Sequence, residues 1–182
     1  MKKLLAIISE VTAFALLAAS MMFTVLEAKN RAWGVAGSSM EPTLYDGDIL
    51  IGSNTRSYHH DDIIVFTDAD GWSAKNNTNI VKRIIGVPGD VITVTIDGTV
   101  TVNGRHHADI HGEYAESCSN TGTFTVPKNT LFVMGDNSPV SDDSRYQFCN
   151  GYGNYLVHYD SIRIVVNQNW IIPLGKTIRT IF

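Results

Sequence analysis

Three separated polar segments of the chain contain residue types that support nucleophilic catalysis. They are Gly37–Leu44, Val81–Asp90 and Met134–Arg145. A serine hydroxyl is a weak nucleophile until a neighbouring base removes its proton, so a candidate serine has to be considered together with its base. The first segment supplies Ser38 and Ser39, in a stretch whose small residues and proline favour a tight, non-helical loop. The base must then come from one of the other two segments.

Lys82 is the candidate base because it lies inside an otherwise apolar run. Adjacent side chains of a strand point to opposite faces, so we expect one of Lys82 and Arg83 to face inward. A lysine held against Ile80 and Ile84 loses hydration in its charged form, which lowers its pKa. The alternative is that both cations lie on the surface, which is the usual placement of a lysine considered alone.

The elements that must position these residues are mostly strands. Short runs rich in β-branched and aromatic residues recur between turn signals, which favours an antiparallel folded sheet or barrel-like body. The predicted strands are Ile49–Ile51, Ile63–Phe66, Ile80–Ile85, Val91–Ile96, Thr99–Val102, Thr123–Val126 and Leu131–Met134. Asp97-Gly98 predicts a hairpin turn of the primed type, and Asn103-Gly104 predicts a second tight turn. The fold class is therefore mainly β.

Two polar stretches, about 68–79 and 105–122, show little periodicity and are predicted as loop insertions. The tail from Ile162 to Phe182 has apolar residues around Pro173, and we expect a closing strand or a surface contact there. The predicted catalytic domain covers residues 31–182, and residues 1–30 form a separate segment.

Residues 4–26 of that segment are almost wholly apolar, interrupted only by Glu10 near one end. As a helix the run is about 34 Å long, enough to cross the hydrocarbon core of a bilayer, and we expect an N-terminal membrane anchor. Trp33 is suited to the membrane–water interface at the other end of this predicted helix. The alternative, a cleaved signal peptide, usually has a shorter apolar region and a small-x-small cleavage site, and Leu26-Glu27-Ala28 is a poor one.

In order along the chain, three motifs resemble those of the type I signal peptidase family, which are membrane-anchored serine proteases with a Ser/Lys dyad. The motifs are Ser39-Met40-Glu41-Pro42-Thr43, then Lys82-Arg83 running into Gly86-Val87-Pro88-Gly89-Asp90, then Gly135-Asp136-Asn137 followed by Ser141-Asp142-Asp143-Ser144-Arg145. The resemblance spans residues 1 to 146. Two departures are Gly37, where some relatives carry a second serine, and Ser138-Pro139-Val140, where the usual stretch is Arg-Asp-Asn.

The resemblance implies a role for each matching residue. Ser39 is the nucleophile, Lys82 the general base, and Ser141 the serine whose hydroxyl orients the lysine ammonium. Because the position of the second serine is Gly37, the implied oxyanion donor is the Ser39 backbone N–H. Further implied roles are a buried acidic–basic pair and the lining of shallow substrate pockets: Asp143 and Arg145 for the pair, and Met40, Leu44, Ile80 and Val81 for the pockets.

The resemblance also implies the reaction and its setting. The expected enzyme removes signal peptides from secreted preproteins after small residues at positions −3 and −1. We expect it in the cell membrane, in contact with lipid, as a single-pass protein with an extracytoplasmic catalytic domain. Two other hypotheses stay open: a membrane-tethered scaffold that has kept the fold and lost turnover, and a self-cleaving Ser/Lys regulator.

Other features exclude classes of function or leave them open. The net charge of −4, with no basic stripe, disfavours nucleic acid as a partner. His59-His60-Asp61-Asp62 and the group His106, His107, Asp109 and His111 are interpreted as solvated loops, and no metal or cofactor is expected. Cys118 and Cys149 are either two free thiols or one disulfide. No pattern indicates an oligomeric state.

Overall fold

The structure is a computed structural model that describes residues 2–29, 32–68, 71–72, 78–114 and 117–175. The chain divides into two compact units, Met1–Ala32 and Trp33–Phe182. The first unit is one helix, α1 (Lys2–Lys29), whose side chains from Glu10 to Thr24 are exposed.

In the described part of the chain, no helix is both long and apolar enough to cross a membrane. The predicted transmembrane helix at residues 4–26 is therefore not confirmed. The side chains of residues 4–9 and 25–26, on which part of that prediction rests, lie outside the described part of the structure.

The second unit is built of strands, as the alternating apolar runs predict. The strands are β1 (Ala32–Gly34), β2 (Ile49–Ser53), β3 (Ile63–Thr67), β4 (Asn79–Gly86), β5 (Val91–Val94), β6 (Val100–Val102), β7 (Arg105–His107), β8 (Gly122–Thr125), β9 (Thr130–Met134), β10 (Val157–His158) and β11 (Ile162–Val166). A short helix, α2 (Ser144–Cys149), and three 3₁₀ turns (Ser138–Val140, Tyr159–Ser161 and Gln168–Trp170) complete the described elements. The mainly-β prediction is confirmed.

The strands form a seven-stranded sheet in the order β1-β2-β11-β3-β4-β9-β10 and a four-stranded sheet in the order β7-β6-β5-β8. Pairing is antiparallel between β3 and β4 and on both sides of β11. The last strand of the chain therefore lies inside the large sheet, where Ile164 and Val166 join the core. The first part of the apolar tail is therefore a central strand of the large sheet. The tail is described as far as residue 175, and residues 176–182 lie outside the described residues.

Both faces of the large sheet are covered by apolar side chains. On β3, Ile63 and Val65 belong to one buried cluster, while Ile64 and Phe66 belong to another. A third cluster joins the small sheet to α2 and β9 through residues such as Ile92, Phe132 and Phe148. A polar side chain on a strand that is covered on both faces is therefore shielded from water.

The tight turns differ from the prediction in one respect. A primed turn needs positive φ at the first central residue, and the type I′ turn needs it at both, as occurs at Asn103 (φ 52°) and Gly104 (φ 76°). At the other hairpin Gly98 has φ 76°, whereas Asp97 does not have positive φ, so the primed-type prediction for Asp97-Gly98 is wrong. The five-residue connection closes instead through the hydrogen bond from Thr95 N–H to the Thr99 carbonyl, at 3.0 Å.

The two predicted insertions are partly structured. Residues 69–70, 73–77 and 115–116 lie outside the described residues. In the first insertion, Trp72 is buried against Phe66, and its backbone N–H donates to the Asp68 carboxylate at 2.9 Å. The second insertion begins with β7, which extends the small sheet.

Candidate active site

The loop that carries Ser39 connects β1 to β2. Gly37 has φ 90°, and its N–H donates to the Asp46 side chain at 3.0 Å. Two further backbone hydrogen bonds, from Glu41 N–H to the Ser38 carbonyl (3.1 Å) and from Leu44 N–H to the Met40 carbonyl (2.9 Å), tighten the loop. Met40 is 1% exposed and anchors the loop in the core, whereas Ser39 stays partly accessible.

Lys82 on β4 reaches this loop. Its Nζ donates to Ser39 Oγ at 2.7 Å, and the side chain is 3% exposed. Burial lowers the pKa of Lys82 below its ordinary value, because desolvation disfavours the ammonium form. The negative charges of Asp143, Asp142 and Asp136 act in the opposite direction, and burial prevails. A lysine poised toward its neutral form is therefore in contact with a serine hydroxyl.

Lys82 and Arg83 are both buried, which differs from the expectation that only one would face inward. Opposite residues of an antiparallel pair share a face: Lys82 pairs with Ile64, and Arg83 pairs with Ile63. Because Ile63 and Ile64 belong to different apolar clusters, each cation enters a covered face. Lys82 and Arg83 therefore point to opposite faces of the sheet, as strand alternation predicts. Alternation alone does not reveal that both faces are covered.

The burial of Arg83 is compensated by a carboxylate on the loop after β9. Arg83 Nε donates to Asp136 Oδ1 at 2.8 Å and Nη2 donates to Oδ2 at 2.6 Å, a two-pronged ion pair between side chains that are 10% and 1% exposed. Nη1 donates to the Asp61 carbonyl at 3.0 Å. This pair joins β4 to the third polar segment. This ion pair was not predicted from the sequence, although Arg83 and Asp136 each lie in one of the three motifs.

Ser141 is 4% exposed, and its Oγ has no hydrogen-bond partner among the described residues. The hydrogen bond to Lys82 that the resemblance implies is thus not formed in this structure. Ser141 nevertheless lies next to the loop that carries Ser39, because a Cβ on Gly135 would overlap both Ser141 Oγ and the Ser39 carbonyl oxygen.

The ion pair between Asp143 and Arg145 that the resemblance implies is not formed in this structure. Asp143 caps α2: its Oδ1 accepts from the backbone N–H of Arg145 (3.0 Å) and Tyr146 (3.2 Å), and its Oδ2 accepts from Gly135 N–H (3.0 Å). Backbone amides therefore occupy both oxygens of the carboxylate, as is usual for an aspartate at a helix N-cap.

The Arg145 side chain extends to the second insertion instead. Its Nη1 donates to Asp109 Oδ1 at 2.9 Å, and its guanidinium lies over the Tyr114 ring, 4.5 Å from the centroid. Asp109 Oδ1 also accepts from Ser138 Oγ at 2.7 Å. No sequence signal identified Asp109 as this partner, because the insertion has no periodicity that would place it.

A cleft of about 240 Å³ opens beside Ser39. It is lined by Trp33, Gly34, Ala36, Ser39, Leu50, Val65, Thr78, Asn79, Ile80 and Val81. Ile80 and Val81 therefore lie at the wall of a cleft that also contains Ser39. Met40 and Leu44 do not line this cleft, because both are buried with Leu50 and Ile63 in the core beneath the loop.

The remaining candidates lie elsewhere. Cys118 and Cys149 form a disulfide that joins the second insertion to the end of α2. His60 Nε2 lies 2.6 Å from Asp90 Oδ2. Within the described ranges, no group of three or more His, Cys, Asp or Glu residues is arranged to hold a metal ion.

A buried lysine in contact with the hydroxyl of a serine that lines a cleft is the arrangement of a serine hydrolase that uses lysine in place of histidine. The comparison with protein families agrees with that class. The chain belongs to the signal peptidase family, peptidase S26, whose family model matches residues 6–163.

Individual relatives carry the same name. The chain is 38% identical over 117 residues to a probable signal peptidase I-2 of Synechocystis sp., covering 62% of this chain and 53% of that protein. It is 34% identical over 132 residues to signal peptidase I of Bacillus licheniformis, with 65% of this chain and 66% of that protein covered. Signal peptidase IB of Staphylococcus aureus is 35% identical over 132 residues, with 61% and 65% covered.

The chain thus spans between about half and two thirds of the length of these curated relatives. Among solved structures, a signal peptidase I from Enterococcus faecalis V583 has 28% identity and a TM-score of 0.44, covering 61% of this chain and 97% of that one. A likeness at that score does not establish a shared fold.

Proposed function

We propose that this protein is a signal peptidase: a serine endopeptidase that cleaves secreted preproteins after a small residue, with Ser39 as nucleophile and Lys82 as general base. The observation that carries the proposal is the 2.7 Å contact between Lys82 Nζ and Ser39 Oγ, made by a lysine that is 3% exposed. Family membership supports the choice of substrate class.

The acylation step begins when neutral Lys82 accepts the Ser39 hydroxyl proton while Oγ forms a bond to the carbonyl carbon of the scissile peptide. The carbonyl oxygen becomes an oxyanion, for which we propose the Ser39 backbone N–H as donor. Collapse of this intermediate breaks the C–N bond, and the Lys82 ammonium returns its proton to the leaving amine. An ester between the substrate acyl group and Ser39 remains.

Deacylation repeats the proton transfers with water. Lys82, neutral again, accepts a proton from a water molecule that attacks the ester carbonyl, and the ammonium then protonates the departing Ser39 oxygen. The cycle consumes one water and needs no metal. Lys82 must be neutral at the start of each half, which is why the burial that lowers its pKa matters for the mechanism.

We propose that Ser141 orients Lys82 by accepting a hydrogen bond from Nζ. Its burial against Gly135, next to the Ser39 carbonyl, supports this role, as does the lack of another hydrogen-bond partner for Ser141 Oγ among the described residues. Ile80 and Val81 are proposed to contact small substrate side chains in the 240 Å³ cleft, whose volume suits residues of that size.

The proposed setting is a membrane surface, with the catalytic unit extracytoplasmic. Its support is the apolar composition of residues 4–26, although no helix of the described part meets the requirements for spanning. Protease added to intact spheroplasts is expected to digest the catalytic unit, and carbonate washing is expected to leave the protein in the membrane fraction. Protection until lysis, or release by carbonate, would contradict this setting.

The catalytic proposal is tested by incubating the detergent-solubilised protein with a preprotein that has Ala at −3 and −1, and sequencing the new N-terminus. Cleavage after the −1 residue is expected, with loss of cleavage in Ser39→Ala. Ser57→Ala is the matched control, because Ser57 is exposed in the loop between β2 and β3. Absence of cleavage by the wild-type protein would favour the scaffold hypothesis, and cleavage of the enzyme's own chain alone would favour the self-cleaving regulator.

A further inference from the structure

We propose that Asn137 is a positioning residue that orients the oxyanion-binding N–H of Ser39; this inference rests on the function proposed above. Asn137 follows Asp136 in the loop after β9, and no role was assigned to it from the sequence. It contacts the nucleophile loop at two successive carbonyls, of Ser38 and Ser39.

The two contacts involve different parts of Asn137. Its side-chain Nδ2 donates to the Ser38 carbonyl at 3.0 Å, and its backbone N–H donates to the Ser39 carbonyl at 3.0 Å. A carbonyl bonded by a backbone N–H keeps that bond when a side chain is changed, so substitution at 137 removes the Ser38 contact selectively. The Ser38 carbonyl then retains only the bond from Glu41 N–H, at 3.1 Å, within its own turn.

The Ser38 carbonyl matters because it belongs to the same peptide group as the Ser39 N–H. That peptide is trans, so its C=O and N–H point in opposite directions from one rigid plane. A donor that fixes the oxygen on one side therefore fixes the direction of the N–H on the other. Among the described residues, the Ser39 N–H has no acceptor of its own to hold it.

Asn137 is itself held rigidly enough to act in this way. The carboxylate of Asp136, the preceding residue, is paired with Arg83, which adjoins Lys82 on β4. From the second insertion, His111 N–H donates to the Asp136 carbonyl (2.9 Å), and the His111 carbonyl accepts from Ser138 N–H (3.1 Å). These bonds bracket Asn137 on both sides, so the base, the nucleophile loop and the amide donor share one framework.

The role predicts which kinetic constant changes. An oxyanion exists only after attack, so a misdirected N–H weakens transition-state binding and leaves substrate binding unchanged. Loss of a direct oxyanion donor reduces kcat by about 10²–10³-fold, and a donor that is present but unsteadily held should cost about tenfold or more. KM should stay within about twofold of the wild-type value, since Asn137 is not part of the cleft wall.

The experiment compares Asn137→Ala and Asn137→Asp with Asn120→Ala in the full-length, detergent-solubilised protein. Aspartate keeps the size of asparagine but cannot donate to the Ser38 carbonyl while ionised. Asn120 is the matched control, because its Nδ2 also donates to a backbone carbonyl, that of Phe148 at 3.1 Å, but away from Ser39. We expect kcat to fall at least tenfold in both Asn137 variants and to stay within twofold in Asn120→Ala.

A second measurement does not depend on turnover. The backbone amide resonance of Ser39, followed by NMR in ¹⁵N-labelled protein, should shift or broaden in Asn137→Ala and not in Asn120→Ala. If wild-type protein cleaves nothing, the proposed function fails while this measurement still tests the inference. The positioning role of Asn137 would be overturned if the Ser39 amide resonance were unchanged in Asn137→Ala. It would also be overturned if kcat fell no further in Asn137→Ala than in Asn120→Ala.

Discussion

The amine of Lys82 and the hydroxyl of Ser39 are 2.7 Å apart although the two residues are separated by 43 positions in the chain. The lysine is delivered by a strand that is buried on both faces, and the serine by a loop anchored through Met40. Because proton transfer needs both groups at hydrogen-bond distance, neither group should support cleavage without the other.

Ser39→Ala and Lys82→Ala are each expected to reduce cleavage to background, and the double variant should be no less active than either single one. Lys82→Arg should also fail, because a guanidinium does not release its proton near neutral pH. Initial rates on a preprotein measure this, with Lys128→Ala as an exposed-lysine control. Additive losses in the double variant would show that the two residues act separately.

The pH dependence follows from the lowered pKa of Lys82. Because the base must be neutral, kcat/KM should rise with pH through the pKa of Lys82, with a midpoint below its ordinary value of 10.5. Asp142 favours the charged ammonium, so Asp142→Asn should lower that pKa further and move the acid limb to lower pH. Profiles of kcat/KM against pH test both statements. A shift of the limb to higher pH in Asp142→Asn would contradict the assignment.

Gly135 should not tolerate a side chain. A Cβ at this position would overlap Ser141 Oγ, Ser141 Cβ and the Ser39 carbonyl oxygen, so Gly135→Ala is expected to displace the nucleophile loop and reduce kcat at least tenfold. Gly153→Ala is the control, since a Cβ there meets nothing within 4 Å. Initial rates and thermal melting of both variants make the comparison, and wild-type kcat in Gly135→Ala would refute it.

Arg145 should be coupled energetically to Asp109. Removing Asp109 leaves a guanidinium that is 1% exposed without its ion-pair partner, so Asp109→Ala should destabilise the fold by about 1–3 kcal/mol, less than for a fully buried pair because Asp109 is 22% exposed. Urea unfolding of Asp109→Ala, Arg145→Met and the double variant gives the coupling free energy. A value near zero would mean that Asp109 does not stabilise the arginine.

The disulfide between Cys118 and Cys149 closes a loop with a sequence separation of 31. In the chain-entropy model a loop of this length stabilises the fold by about 3–4 kcal/mol, so the Cys118→Ala, Cys149→Ala double variant should unfold at lower temperature. Mass spectrometry of a non-reduced digest should detect the linked peptides. Alkylation of both thiols without prior reduction would exclude the bond.

Strand positions and the three motifs that resemble those of the signal peptidase family were available from the sequence, for local reasons. The β-branched and aromatic residues of runs such as Ile63–Phe66, bounded by turn residues, identify a strand without reference to any other part of the chain. Alternation likewise predicted that one of Lys82 and Arg83 faces inward, while a surface position for both stayed open, so the burial of Lys82 was one of two hypotheses. The motif order then indicated which serine belongs with it.

Which partners meet was decided by the tertiary structure. The order of short strands in a sheet cannot be predicted from their similar local patterns, so the sequence did not indicate that β11 lies between β2 and β3. The same holds for polar pairs, because the sequence does not show which carboxylate pairs with Arg145. Asp143 accepts hydrogen bonds from backbone amides at the N-cap of α2, and Arg145 forms its ion pair with Asp109 instead. Asn137 illustrates the rule at the active site, since its hydrogen bond to Ser38 spans 99 positions and depends on the packing of two loops that share no local pattern.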